Sequence, residues 1–489
     1  MIALFLILIP LVTGLLAFFF REEKMARGWA LLSAIGTLTV SVLGLTVLKA
    51  PANLRFTGEW MGNLGSSFSI GLDGMGQLLC LLNAVAYVII LLATWNSSYR
   101  KANNFFGLLL LAQAGMMGVF LAMDALLFYF SWELALIPVY FLCSQWGGDR
   151  RIPVTFKFFV YTFLGSLLML TGILFVYSHT QSFSMEAFYN SNLPNDQQAW
   201  VFWLFFIAFA VKMPVFPFHT WQPDTYEQSP TAVTMVLSGI MVKMGVFAVL
   251  RWLLPVLPVA SYSWGDLVST LSVTGMLYAS LIAMRQDDIK RLVAYSSIAH
   301  IGLMSLAIFS ESQMSIQGVM IQMFSHGINI IGLWIVVELI ERQFGTRKMS
   351  ELGGLAQKAP AMAIFFVLIA FANIALPLTN AFIGEFLMFS GIYNSQVTQY
   401  NVILTVLALV CIILAAVYTL NMIRKVFFGD AQILTAKAVD LRSSETLALG
   451  ILAILILWSG IYPQPLLDLT SNITDAILNK ADVMHLIKK

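Results

Sequence analysis

The chain has 489 residues, 59% of them hydrophobic and only 11% charged, with a formal net charge of +2. Soluble domains carry roughly 25% charged residues, so the composition excludes a soluble enzyme and points to an all-α polytopic membrane protein. The three cysteines are isolated, with no CxxC, and neither GxGxxG nor GxxxxGK[ST] occurs. Dithiol, zinc-ribbon, iron–sulfur and nucleotide-binding chemistry are therefore not expected on this chain.

A membrane crossing needs about 20 apolar residues. Apolar runs between charged or turn-rich breaks number about fourteen: 2–20, 28–48, 74–95, 104–122, 124–145, 154–178, 198–213, 230–254, 263–284, 291–310, 315–340, 360–393, 400–423 and 444–461. They are numbered spans 1 to 14. The opening MIALFLILIPLVTGLLAFFF lacks a basic start and carries its charges afterwards, so it reads as a retained first helix. Alternate loops, beginning with 21–27, hold eighteen of the 27 Lys and Arg residues. The opposite side holds Lys49, Arg55, Arg251, Lys480, Lys488 and Lys489, while Lys157, Lys212 and Lys243 fall inside apolar runs. The positive-inside rule then predicts both termini on the outer side. The tail PLLDLTSNITDAILNK suits the outer interface.

Two spans read as broken. Residues 200–231 contain Pro214, Pro217, Pro223 and Pro230, and residues 362–392 contain Pro377 in a run too long for one straight span. Irregular backbone at membrane depth survives only where protein or water satisfies it. The breaks fall in spans 7 and 12, and an offset of five spans inverts a helix. The expected architecture is therefore two inverted five-helix repeats, about spans 4–8 and 9–13. It divides the chain into 1–103, 104–254, 255–428 and 429–489.

Within these spans lie ionisable groups that lipid does not tolerate unless they are paired or functional. Glu133 in FYFSWELALIPVYF, Lys243, His300, His326 and Glu385 stand at mid-span depth, and Lys212 closes the apolar half of span 7. Each has a structural alternative: Glu133 as a fixed partner to a lysine, Lys212 as a cap on helix-end carbonyls, Lys243 as a snorkelling side chain. His300 and His326 could be core histidines, with Ser296 and Ser297 as partners of His300. His219 in the first break, Lys157 near its span start and Ser296 are accessory candidates. Asp124, Glu338 and Glu341 read as interfacial or solvated ends. Groups strung along successive spans without enough opposite charges to pair suggest a proton relay. A contact between Glu133 and Lys212 would be a natural gate, since one pair at about 4 Å is worth ~4 kcal/mol at an effective dielectric of 20. His300 and His326 as bis-histidine haem ligands are explained without haem by such a relay.

Seven segments carry a resemblance: SWELALIPVYF (131–141), AVKMPVFPFHTWQPD (210–224), SPTAV (229–233), GIMVKMG (239–245), YSSIAHIG (295–302), FSHGI (324–328) and LPLTNAFIGEF (376–386). Together they resemble the antiporter-like membrane subunits of NADH:quinone oxidoreductase, complex I. Glu385 and the short tail point to the M-type branch, because the L and N types generally carry lysine in span 12. The resemblance implies a proton-translocating subunit with Glu133, Lys212, Lys243, His300, His326 and Glu385 as the relay. It also implies no cofactor on this chain, with flavin, iron–sulfur clusters and quinone held by other subunits. The implied partners are other membrane-arm subunits, especially neighbouring antiporter-like ones, and the lipid of a bacterial plasma membrane; no basic face suggests nucleic acid. Leu378 stands where the family usually has glycine. Tyr226 stands where many relatives have histidine, and no role is assigned to it. The rival readings are a subunit of a multi-subunit Na⁺/H⁺ antiporter, a membrane subunit of a hydrogenase-type complex, and a non-conducting scaffold.

Overall fold

The computed structural model describes residues 1–481, so Lys488 and Lys489 lie outside the described residues. Every one of the apolar runs is helical. Among the described residues, eleven helices are long and apolar enough to cross a membrane. The runs outside that group are the shorter helix Ile2–Ala17 and the two predicted to be broken. Span 7 is a helix Asn195–Lys212 that stops at the lysine, and span 12 is a pair, Pro360–Asn373 and Asn380–Tyr393.

Without a hydrophobic force between helices in lipid, close packing depends on small residues at the crossings. Spans 4 and 5 meet at Gly115, where an added Cβ would lie 2.3 Å from the Ala135 backbone nitrogen, and at Gly118, where it would lie 2.6 Å from Ser131 Oγ. The first neighbour is backbone and cannot swing away. Gly115→Val is therefore expected to separate the two helices and lower stability by at least the ~1–3 kcal/mol of an overpacked core. A lower melting temperature of the purified complex, or loss of the subunit from membranes, would register it.

Spans 8 and 11 form the centre of the molecule. The most apolar window is wholly buried in span 8 and 94% buried in span 11, against 39% in span 13. Gly239 and Gly327 let these central helices touch, the Cβ of a residue at 327 falling 2.9 Å from the Gly239 carbonyl. Lys243 and His326 are thus carried on the two helices furthest from lipid.

On the side of the chain termini, a hairpin pairs Arg55–Met61 with Ser66–Gly71, closed by Gly65 at φ 70°. The sequence reading assigned no structure there. Two charges read as exposed are built into this side instead. Asp124, expected to be interfacial, is fully buried and caps span 5, accepting from the Leu126 and Leu127 amides, the Ser66 hydroxyl and the Ser67 amide. Arg251, counted among loop charges, is 2% exposed and paired with Asp73, because span 8 stays helical through Val256 and does not open into a loop. The final helix, Gln464–Ala481, buries Leu466, Thr470, Thr474 and Ile477 against the bundle. It is received at Gly74, where any side chain would strike the Leu469 carbonyl at 1.8 Å.

The positively charged face holds an ion-pair network centred on the short helix Trp221–Gln228 that follows the first break. Glu227 meets Arg291 at 2.8 Å, Arg347 at 3.2 Å and Arg150 at 3.5 Å. Burial alone would raise its pKa, but the Arg291 hydrogen bond and the three guanidinium charges outweigh it and hold the carboxyl below its usual range. The clamp is therefore present at neutral pH and lost only as pH falls through that depressed value. Lys157 belongs to this network, donating to Asp224 Oδ2 and to the Thr220 carbonyl, each at 2.9 Å. Glu341, expected to be a solvated end near Arg342, pairs with Lys290 at 2.6 Å, while Arg342 turns to Glu445.

Candidate proton-transfer site

Span 8 prepares its lysine with two widened turns, Leu237–Met241 and Val249–Leu253, that follow π-helical spacing on either side of Val242–Ala248. Such bulges are rare and often mark functional positions. Lys243 is wholly buried; its Nζ donates to the Ser238 carbonyl at 2.7 Å and lies 2.8 Å from His326 Nδ1. It does not snorkel. Whichever of the two nitrogens carries the proton donates in that contact, so a proton can pass directly between them.

From His326 the line continues. The His326 and His300 rings stand 5.4 Å apart between centroids, and His300 Nδ1 is 3.3 Å from Glu385 Oε1. The same carboxylate oxygen accepts a 3.3 Å hydrogen bond from Gln322 Nε2. His326 is 1% exposed, His300 8% and Glu385 3%, so all of this lies inside the protein. Among the described residues, neither buried histidine Nε2 has a hydrogen-bond partner. A buried polar atom left unpaired costs free energy unless water or a proton-transfer partner visits it. Neither Ser296 nor Ser297 bonds His300: Ser296 accepts from Asn373 at 3.3 Å and Tyr418 at 2.9 Å, and the Ser297 hydroxyl has no partner.

The second break frames Glu385. The chain leaves Asn373, passes through Ala375 at φ 56° and Leu378 at φ 74°, and re-enters a helix at Asn380. Leucine in the left-handed region is strained by roughly 1–2 kcal/mol, and glycine at that position would not be. Asn380 reaches back to the Ser325 carbonyl at 3.4 Å while its own carbonyl accepts from Ser325 Oγ at 3.2 Å, which ties the break to the His326 helix. Gly460 on span 14 lets that helix lie against the turn, where a Cβ would fall 2.4 Å from the Leu378 carbonyl.

The other acid and lysine form a separate group. Lys212 ends its helix 1% exposed, with Nζ lacking a hydrogen-bond partner among the described residues and lying 5.4 Å from the centre of the Trp132 ring. Glu133 is the carboxylate whose charge acts on it, yet no ion pair within 4 Å forms between them among the described residues. Glu133 is only partly buried and shares its helix face with Phe130, 47% exposed, and Ile137, 49% exposed. The segments that carry the two lysines cross closely: a Cβ on Gly245, two residues after Lys243, would lie 2.8 Å from the Met213 nitrogen, one residue after Lys212. His219 is buried beside Phe216 and Tyr278, with Nδ1 unpaired, and touches neither lysine by hydrogen bond.

Geometry thus unites Lys243, His326, His300 and Glu385, and sets Glu133 and Lys212 apart as a neighbouring pair. Gln322, Ser238 and Trp132 enter the site unannounced. Gln322 precedes His326 by four residues, the spacing that puts both on one helix face, and could have been found that way.

The description of the family model that matches residues 122–416 is NADH:quinone oxidoreductase/Mrp antiporter, TM. The chain is 35% identical to NADH-quinone oxidoreductase subunit M of Rickettsia prowazekii (strain Madrid E), over 94% of this chain and 95% of that one. It is 33% identical to the F(420)H(2) dehydrogenase subunit M of Methanosarcina mazei, over 98% of each. Among solved structures, a chain of respiratory complex I from Thermus thermophilus with bound NADH superposes with a TM-score of 0.88 at 27% identity, covering 98% of this chain and 100% of that chain. Sequence, fold and the buried line of titratable groups agree, and the chain belongs to the NADH:quinone oxidoreductase/Mrp antiporter family of membrane subunits.

Proposed function

We propose that this chain is a proton-translocating membrane-arm subunit of NADH:quinone oxidoreductase, and that protons move along its buried titratable groups. The observation that carries the reading is the buried line Lys243–His326–His300–Glu385, with neighbouring members 2.8 Å apart by hydrogen bond, 5.4 Å between ring centroids and 3.3 Å from imidazole to carboxylate. A snorkelling lysine or a satisfied core histidine would not arrange itself this way. Lys212 and Glu133 feed or empty that line. The partly exposed Glu133, among exposed aromatic and aliphatic neighbours, fits a surface covered by an adjoining antiporter-like subunit. Lys157 and His219 act around the break, and Ser296 steadies span 10 against span 12.

A cavity of about 820 Å³ opens on the positively charged face, lined by Glu227, Ser229, Thr231, Asp288, Glu338 and Glu341 among others. Tyr226 and Gln222 are buried polar residues of the same short helix as the lining residue Glu227. This suits proton entry from a cytoplasmic face of a bacterial plasma membrane, with both termini outside. Electron transfer, with its flavin, iron–sulfur clusters and quinone, belongs to other subunits. In this reading the chain divides into leading helices (1–103), two inverted units (104–254 and 255–428) and a last helix with a short outer-face tail (429–489).

The F(420)H(2) dehydrogenase relative carries the same membrane module under a different electron donor, so the donor is decided by the partners. Purifying the assembly through a tag on this chain tests that point: flavin, iron–sulfur clusters and NADH oxidation are expected, and Na⁺-dependent exchange without them would favour the Mrp-type reading. The transport role has its own test. Glu133→Gln is expected to leave assembly intact and cut NADH-driven acidification of inverted vesicles by at least about tenfold, equivalent to ~1.4 kcal/mol. Normal pumping would end the relay reading.

A further inference from the structure

A lysine at the end of a helix ordinarily caps the last carbonyls. Here those carbonyls are already engaged: Phe209 by the Met213 amide at 2.8 Å, Ala210 by the Val215 amide at 3.0 Å, and Val211 by the Trp221 indole at 2.9 Å. Among the described residues, the buried Lys212 Nζ has no hydrogen-bond acceptor, and it lies over the face of Trp132. At 5.4 Å from the centroid it lies inside the range in which a ring quadrupole attracts an ammonium. Trp132 is itself 1% exposed and braced by Phe128 at 5.6 Å and Phe209 at 6.0 Å, so the ring cannot follow a moving lysine. The next residue along the chain is Glu133.

The tip of Lys212 therefore has two resting places on consecutive residues of span 5, an aromatic face and a carboxylate. We propose that Trp132 is a positioning residue that holds the Lys212 ammonium off Glu133, so that the lysine alternates between the ring and the acid during turnover. The inference rests on the relay reading. Without the ring, a buried ammonium has only the carboxylate to go to; the pair stays closed and the lysine no longer delivers its proton toward Lys243. With the ring, leaving the carboxylate is partly compensated, and both states are populated.

The test replaces Trp132, in the intact complex, with tryptophans fluorinated once, twice and three times by codon reassignment at that position. Fluorination preserves volume and packing while draining the negative ring face. Trp132→Phe and Trp132→Leu extend the series. Protons pumped per NADH are expected to fall stepwise with fluorine count, to be partly kept by Phe, and to drop about tenfold in Leu, the scale of a desolvated cation–π contact. An unchanged ratio across the fluorinated series would overturn the proposal, because a purely structural tryptophan tolerates fluorine. So would equal losses with Phe and Leu. Should Trp132→Leu fail to assemble, the fluorinated series still decides. Glu133→Gln run alongside separates the two ideas: normal pumping in that variant removes the relay itself, whereas a pumping defect there with a flat fluorine series removes only the role of Trp132.

Discussion

Lys243→Met is expected to abolish NADH-driven proton pumping through this subunit while the complex still assembles. Methionine matches the lysine stem in length and apolar character but offers no proton. Two groups lose their partner, the Ser238 carbonyl at 2.7 Å and His326 Nδ1 at 2.8 Å, and an unpaired buried group costs about 1–3 kcal/mol. Against that, a buried ammonium is removed, and replacing buried charges with apolar groups is often neutral or stabilising. The two effects are of similar size and opposite sign, so the fold is expected to survive. Proton transfer is not, because the line then begins at a histidine with no donor in reach. Acidification of inverted vesicles, compared with NADH oxidation in the same preparation, measures the loss directly. Oxidation with pumping near the wild-type ratio would make Lys243 a structural residue.

Much of this arrangement was legible in the sequence because lipid is an unforgiving solvent. Glu133, Lys243, His300, His326 and Glu385 stood out at mid-span depth and Lys212 at the end of an apolar half-span, and the structure keeps four of the six in one line. The helical runs and both breaks were equally visible, since proline and apolar length leave few options. What could not be read was lateral. Glu133 and Lys212 share a neighbourhood but not an ion pair, and nothing in spacing along a chain distinguishes a 4 Å contact from an aromatic face one residue away. Arg251 shows the same limit. It was counted with the outer-side charges, and only the widened turn at Val249–Leu253 and the carboxylate of Asp73, on a distant segment, explain how it is buried. The hairpin at residues 55–71 was missed for a different reason: a two-stranded element beside a membrane has too few apolar residues to announce itself against helices of 20 or more.

At the far end of the line, Glu385→Gln is expected to stop pumping as completely as the loss of Lys243, with less disturbance of the fold. Glutamine keeps the volume, and its amide oxygen can still accept the Gln322 Nε2 hydrogen bond now made at 3.3 Å. What it cannot do is carry a negative charge or exchange a proton. His300 Nδ1 lies 3.3 Å from the carboxylate, within reach of direct proton exchange. Without it, a proton arriving on His300 has no counter-charge beside it. A proton reaching His326 then meets a barrier where it had met an acceptor. Glu385→Asp separates charge from reach: it retains the carboxylate one methylene further from His300, and is expected to pump at a reduced but measurable rate. The ordering wild type, then Asp, then Gln at or near zero identifies the carboxylate charge as the working part. Equal pumping by Gln and wild type would mean that protons leave the line before Glu385, and that the second break exists to shape the helix and not the path.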